Sequence, residues 1–255
     1  MFGLSRLSPV QLIVLLVIGV LVFGAPILRS LTDPLHFVGL ILGLIVGITV
    51  HEASHATVAV LLGDPTPRLM GRVSLNPLRH LDPMGSIAML IASFGWGKPV
   101  VFNPSRLHGD PRIGSALVAA AGPISNVVTA LIGAIVLERA GWSLFSMASR
   151  SFRGPAEPWV EILAMVVVIN IGLAAFNLIP IPPLDGYGFV TNLLPKSMAV
   201  MLRPLETYGP LILLAIIFLG PSLLHIDILG SMLRPIQSAI IFLMQPVLAI
   251  ARTGM

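Results

Sequence analysis

His51, Glu52 and His55 form a His-Glu-x-x-His pattern inside the apolar run 44–62, which is long enough to cross a bilayer. At four-residue spacing on a helix, the two histidines lie one turn apart on the same face, so both imidazoles can reach one ion. Glu52, one residue after the first ligand, is placed to act as general base on a water that the metal polarises. With six His in the chain and five Glu, roughly 0.003 such matches are expected by chance, so coincidence is a poor explanation. Two buried structural histidines are a second explanation. They would leave three ionisable groups at membrane depth without a partner, where each costs several kcal/mol. A metal removes that cost.

The elements that must position these groups follow from composition. The chain is 56% hydrophobic and 10% charged, with a mean hydropathy of +0.96, which fits a multi-spanning membrane protein and not a soluble domain. Its net charge of +4 comes from basic residues scattered through short loops, so no basic module for nucleic acid is present in the sequence. There is no cysteine, which leaves His, Asp and Glu as the only strong zinc ligands.

Apolar runs fall at 9–28, 35–62, 84–94, 114–137, 159–179, 209–224 and 236–250. The first is too long for a signal peptide's apolar core and is expected to be retained. The run 84–94 covers about 16 Å as a helix, roughly half the hydrocarbon core, and is expected to re-enter or lie in the interface. Loop charges test that choice. With a cytoplasmic N-terminus and 84–94 not crossing, Arg6, Arg68, Arg72, Arg79, Lys98, Arg106, Arg112, Lys196, Arg203 and Arg252 are cytoplasmic, against Arg29, Arg139, Arg150, Arg153 and Arg234 outside. That asymmetry obeys the positive-inside rule, and a crossing 84–94 destroys it. The expected fold is an all-α polytopic membrane protein, one domain over residues 1–255. It has about six transmembrane helices, both termini cytoplasmic, a short re-entrant or interfacial segment, and a small β-hairpin or strand at the surface within 95–104. For 236–250 the sequence leaves spanning and interfacial placement both open, because Gln237 and Gln245 interrupt it.

A catalytic zinc usually has three protein ligands and one open position. Asp185 is the candidate third ligand. It follows Pro180, Pro182 and Pro183, which end regular helix just after an apolar run. Irregular backbone at membrane depth is tolerated only against protein or a polar cavity. In the favoured topology Asp185 emerges at the same face as His55. A loop carboxylate capping a turn is the alternative.

His51 to His55, Ala121-Gly122-Pro123-Ile124-Ser125-Asn126 and Asn177 to Gly186 together resemble the site-2 proteases, zinc metalloproteases that cut in or near the transmembrane helices of their substrates. Gly71 to Pro77 and Gly95 to Pro99 resemble the compact prokaryotic branch, without the PDZ or CBS domains of other branches. The resemblance implies one Zn2+ per chain held by His51, His55 and Asp185, with Glu52 as catalytic base. It also implies a cell-membrane, multi-pass enzyme, a transmembrane protein as substrate and the bilayer as surroundings. The active site is expected nearer the cytoplasmic side. Neither the substrate nor any regulatory partner is named by the sequence.

Substrate contacts are expected at Asn126 and Asn177, which either donate to the peptide or make only interhelical hydrogen bonds. Val100, Val101 and Phe102 are expected to offer a strand edge to an unwound substrate. The competing function is a membrane metal or ion transporter that uses the His/Asp site as a path. A transport site needs no general base next to a ligand, so Glu52 favours hydrolysis.

Overall fold

The structure is a computed structural model that describes residues 33–83, 85, 97–143, 157–223 and 226–253. The expected span at 9–28 and nearly all of 84–94 lie outside the described residues. Helix α1, Pro34–Leu61, starts at a proline in its first turn, and the Asp33 carboxylate accepts a hydrogen bond from His36 N–H at 3.1 Å. Both are ordinary helix-start chemistry. Gly39, Gly43 and Gly47 then repeat every four residues along one face. Helix α4, Pro158–Asn177, packs so close to that face that a Cβ on these glycines would lie 2.7, 3.0 and 2.5 Å from Met165, Ile169 and Leu173. In lipid no hydrophobic force pulls helices together, so small residues that admit close van der Waals contact do the work. Continued at the same spacing, this face carries His51 and His55, which therefore point into the helix packing and not into lipid.

Short helix α2, Thr66–Leu69, and two 3-10 turns, Pro77–Arg79 and Pro104–Arg106, lie in the connection to α3, Pro111–Arg139. Helix α3 is capped by Asp110, whose carboxylate accepts from Arg112 N–H. It packs on both α1 and α4. Helices α5, Asp185–Leu193, and α6, Lys196–Met201, are short. They are followed by α7, Pro204–Leu223, and α8, Ile228–Thr253. The main core is small-residue packing between α3, α4 and α8: Ala130, Ala134, Ala164 and Ala174 interleave with Leu137, Ile240, Met244 and Leu248.

Among the described residues four helices, α1, α3, α4 and α8, are long and apolar enough to cross a membrane. Helix α8 settles the status of 236–250 as a candidate span, with Ile240, Met244, Leu248 and Ala251 forming its buried stripe. Helix α7 departs from the expected crossing. Its Gly209 sits on Pro182, and Leu213 packs with Ile179, Leu184 and the first turns of α8. The chain therefore enters α8 at the same end at which it entered α7. Helix α8 runs to the far end, where Arg252 pairs with Glu138 of α3. The C-terminus thus lies at the end opposite to the one expected, because loop charge alone could not tell a crossing α7 from a returning one. The expected hairpin is also missing from the described residues. Among the described residues the one antiparallel bridge is Leu81 with Gly97, and 98–103 has no paired strand among them.

Of the described cations, Arg68, Arg72, Arg79, Lys98, Arg106, Arg112, Lys196, Arg203 and Arg234 lie at the end where α1 stops and α3 starts. Arg139 and Arg252 lie at the other. Arg234 and Arg252 have exchanged ends relative to expectation, so the charge asymmetry survives the change of topology.

Candidate metal centre

His51 and His55 project from α1 against α3, and Asp185 reaches them from the first turn of α5. The two Nε2 atoms are 3.0 Å apart, and Asp185 Oδ2 lies 2.9 Å from His51 Nε2 and 3.2 Å from His55 Nε2. Both imidazoles are buried. Their outer nitrogens fix the tautomers. His55 Nδ1 lies 2.6 Å from the Val118 carbonyl oxygen, which can only accept, so Nδ1 carries the proton. His51 Nδ1 lies 2.7 Å from Asn126 Oδ1, while the other amide atom, Nδ2, donates to the Gly47 carbonyl at 3.0 Å. A carbonyl cannot take the opposite amide orientation, so His51 Nδ1 is protonated as well.

Two Nε2 lone pairs and a carboxylate oxygen then converge with no hydrogen between them, and Asp185 Oδ2 is a buried atom with no hydrogen-bond donor. Three mutually repelling acceptors at this separation call for a cation. Ligand atoms in a tetrahedral zinc site with bonds of about 2.0–2.1 Å stand about 3.3 Å apart, close to what is found. Gly122 completes the pocket wall: a Cβ there would lie 2.4 Å from His55 Nε2 and 2.5 Å from His51 Cε1. The residues present fit a divalent metal of zinc type.

Glu52 lines a cavity of about 540 Å³ that opens onto the three ligands. Its Oε1 abuts Gly97, where even a Cβ would come within 3.3 Å. Val100 and Phe102 line the cavity and the intervening Val101 is exposed, the two-residue alternation of extended chain. Asn177 also lines it, with Nδ2 donating to Leu173 O one turn back. Asn126 lies behind His51, where it makes interhelical hydrogen bonds. It is fully buried, faces α1, and gives its amide to His51, Gly47 and Asn170. It sits behind an imidazole and away from the cavity because residue 126 falls on the α3 face that meets α1.

Two anchors set the walls of this cavity. Asp64, with no exposed surface, accepts from Thr66 N–H and Oγ1–H and, at 2.6 Å, from Asn103 N–H. It thereby ties the extended segment to the end of α1. Burial by itself would raise the Asp64 pKa, but these hydrogen bonds, with Arg106 nearby, hold it below the usual carboxylate range. On the other wall, Arg112 of α3 donates to the Thr191 and Leu194 carbonyls at the end of α5. Tyr187 O–H donates towards Leu202 O and Glu206. Together they fix the helix that carries Asp185.

Sequence reasoning missed Gly122, Asp64 and Asn170. Gly122 was legible only as part of a motif, and Asp64 looked like any loop acid. Asn170 offered one signal, a polar residue in the middle of an apolar run.

A helical membrane domain with a buried two-histidine, one-aspartate ligand set and a carboxylate at the adjoining cavity defines a membrane metallopeptidase. The comparisons agree. The model of peptidase family M50 matches residues 142–219, a stretch that includes Asn177 and Asp185. The chain is 37% identical over 185 residues to "Putative zinc metalloprotease YwhC" of Bacillus subtilis, covering 71% of this chain and 80% of that protein. It is 31% identical over 223 residues to "Putative zinc metalloprotease Rip2" of Mycolicibacterium smegmatis, covering 83% and 81%. No solved structure matches the chain. This chain belongs to peptidase family M50, the site-2 proteases, and is a zinc metalloprotease of that family.

Proposed function

We propose that the protein hydrolyses peptide bonds in or near transmembrane segments of membrane-protein substrates, with one zinc per chain held by His51, His55 and Asp185 and with Glu52 as general base. The observation that carries this reading is the convergence of three proton-free ligand atoms on a cavity that Glu52 also lines. Zinc bound there supplies Lewis acidity, which makes water a nucleophile near neutral pH and polarises a carbonyl. Glu52 takes the proton from the attacking water and returns it to the leaving nitrogen.

A substrate helix must unwind to expose its amide. The segment from Val100 to Phe102, with no paired strand among the described residues, offers backbone groups to such a strand. Asn177 has two amide hydrogens and uses one on Leu173 O, so the second serves a substrate carbonyl. The cation-rich end of the molecule is the cytoplasmic one by the positive-inside rule. A cavity mouth nearer the cytoplasm is supported by α1 reaching that end six residues after His55.

Glu52→Gln is the test. In detergent or vesicles with a model transmembrane substrate, it should slow cleavage at least about 100-fold while zinc content stays at the wild-type level. Wild-type cleavage rates in that variant would end the general-base assignment.

A further inference from the structure

Asn170 lies on α4, facing Asn126 of α3 and Gly47 of α1, with no exposed surface. Its Nδ2 donates to its own helix at Val166 O, 2.8 Å away. Since that carbonyl can only accept, Asn170 must present Oδ1 on its other side, and Oδ1 receives Asn126 Nδ2 at 2.9 Å. Asn126 Nδ2 also donates to Gly47 O, so both hydrogens of that amide are used. Asn126 Oδ1 is then forced onto His51 Nδ1. Each link has only one allowed polarity. The chain begins at a helix carbonyl and ends with a proton on His51 Nδ1 and a lone pair on Nε2.

His55 is held differently. Its Nδ1 donates straight to a backbone carbonyl, Val118 O, which cannot rotate. A side-chain amide can turn over, and a flipped Asn126 would put an N–H against His51 and favour the wrong tautomer. We propose that Asn170 is a positioning residue for the metal centre. Together with the Gly47 carbonyl, which takes the other hydrogen, it locks the amide of Asn126 and, through it, the tautomer and ring angle of His51. Asn170 touches no ligand atom and acts only through Asn126. The close approach of α4 to α1 at Gly47 makes the relay possible, since a Cβ on Gly47 would stand 3.3 Å from Asn170 Oδ1 and 3.6 Å from Asn126 Nδ2. The inference rests on the reading of His51 as a zinc ligand.

Asn170→Leu, Asn126→Leu and the double variant test it through zinc affinity, measured by competition with a chromophoric chelator on detergent-solubilised protein. Leucine approximates asparagine in shape, and removing both amides together leaves the Gly47 and Val166 carbonyls, which their own helices already engage, and the same unpaired His51 Nδ1–H that Asn126→Leu leaves. Asn126→Leu should weaken zinc about 10- to 100-fold and Asn170→Leu several-fold, in the range seen when partners of metal-binding histidines are lost. The double variant should be no worse than Asn126→Leu. Zinc affinity within twofold of wild type in Asn170→Leu would overturn the proposal, as would a double variant whose loss is the product of the two single losses.

Should Asn170→Leu fail to fold, the metal-free wild type still decides, through 15N spectra of labelled histidine. His51 protonated on Nδ1 supports the relay, and protonation on Nε2 rejects it. Wild-type zinc affinity in His51→Ala would instead sink the ligand assignment itself, whatever the asparagines do.

Discussion

On the side where α1 meets α3 and α4, the two histidines are backed by Gly122 and by a chain of paired amides. The imidazole Nδ1 atoms are satisfied, and there is no room for another Cβ at Gly122. On the opposite side the wall is the extended segment 97–103, held at a few points by Asp64, by the bridge at Gly97 and by Arg72 donating to Pro99 O. Val101 within it is 55% exposed. The first wall resists change and holds ligands to the short separations a metal needs. The second has no paired strand among the described residues. A membrane peptidase needs both, because a metal site tolerates little misplacement whereas a substrate must enter, extend and leave.

Variants on the two walls should therefore fail in different ways. The largest effect is expected from Gly122→Ala, whose methyl would overlap both imidazoles. Purified protein should lose at least about 100-fold in zinc affinity, and cleavage should fall to the background of Glu52→Gln. Retention of metal by this variant would show that the packed wall can yield.

Next comes Asp64→Ala on the other wall. Its loss takes the acceptor from the part-buried Thr66 and Asn103 N–H groups, at about 1 kcal/mol for each. Thermal stability should drop and KM should rise, with zinc affinity kept. The same carboxylate gives a pH signature. Because its folded pKa lies below the ordinary value, the stabilisation is fully present above about pH 4–5 and is lost as pH falls through the folded value. The melting-temperature gap between wild type and Asp64→Asn should be flat near neutrality and narrow in acid.

Smaller again is Val101→Pro, which removes one edge N–H from an exposed position. Cleavage should fall several-fold through KM, with stability within about 0.5 kcal/mol of wild type. An unchanged KM would remove 100–102 from the substrate path.

Arg252→Ala, at the far end of α3 and α8, should leave kcat/KM of the folded enzyme unaltered. It breaks a two-point ion pair at 2.8 Å to the buried Glu138, so a stability loss of about 1–3 kcal/mol should show in melting.

The His-Glu-x-x-His pattern and the membrane class were legible because they depend on local spacing and composition. His51 and His55 share a helix face by the geometry of one turn, and the prolines before Asp185 mark a break wherever they occur. The four-residue repeat Gly39, Gly43, Gly47 was also in the sequence. It points along the same face as the histidines, and read that way it foretells which side of α1 is packed. Asn126 was visible as a polar residue in an apolar helix, but whether it faced substrate or ligand depended on which helix lay opposite.

Sequence alone determined what the site is made of, since the identity and spacing of donors follow from covalent order. Tertiary structure decided the tautomer of each histidine, the service of Asn170 to a ligand it does not touch, and the return of α7 that puts the C-terminus at the far end. Those outcomes depend on which carbonyl or helix stands opposite a given atom. Contacts between residues 47, 126 and 170 leave no local trace, because each is an ordinary small or polar residue until the three helices close around it.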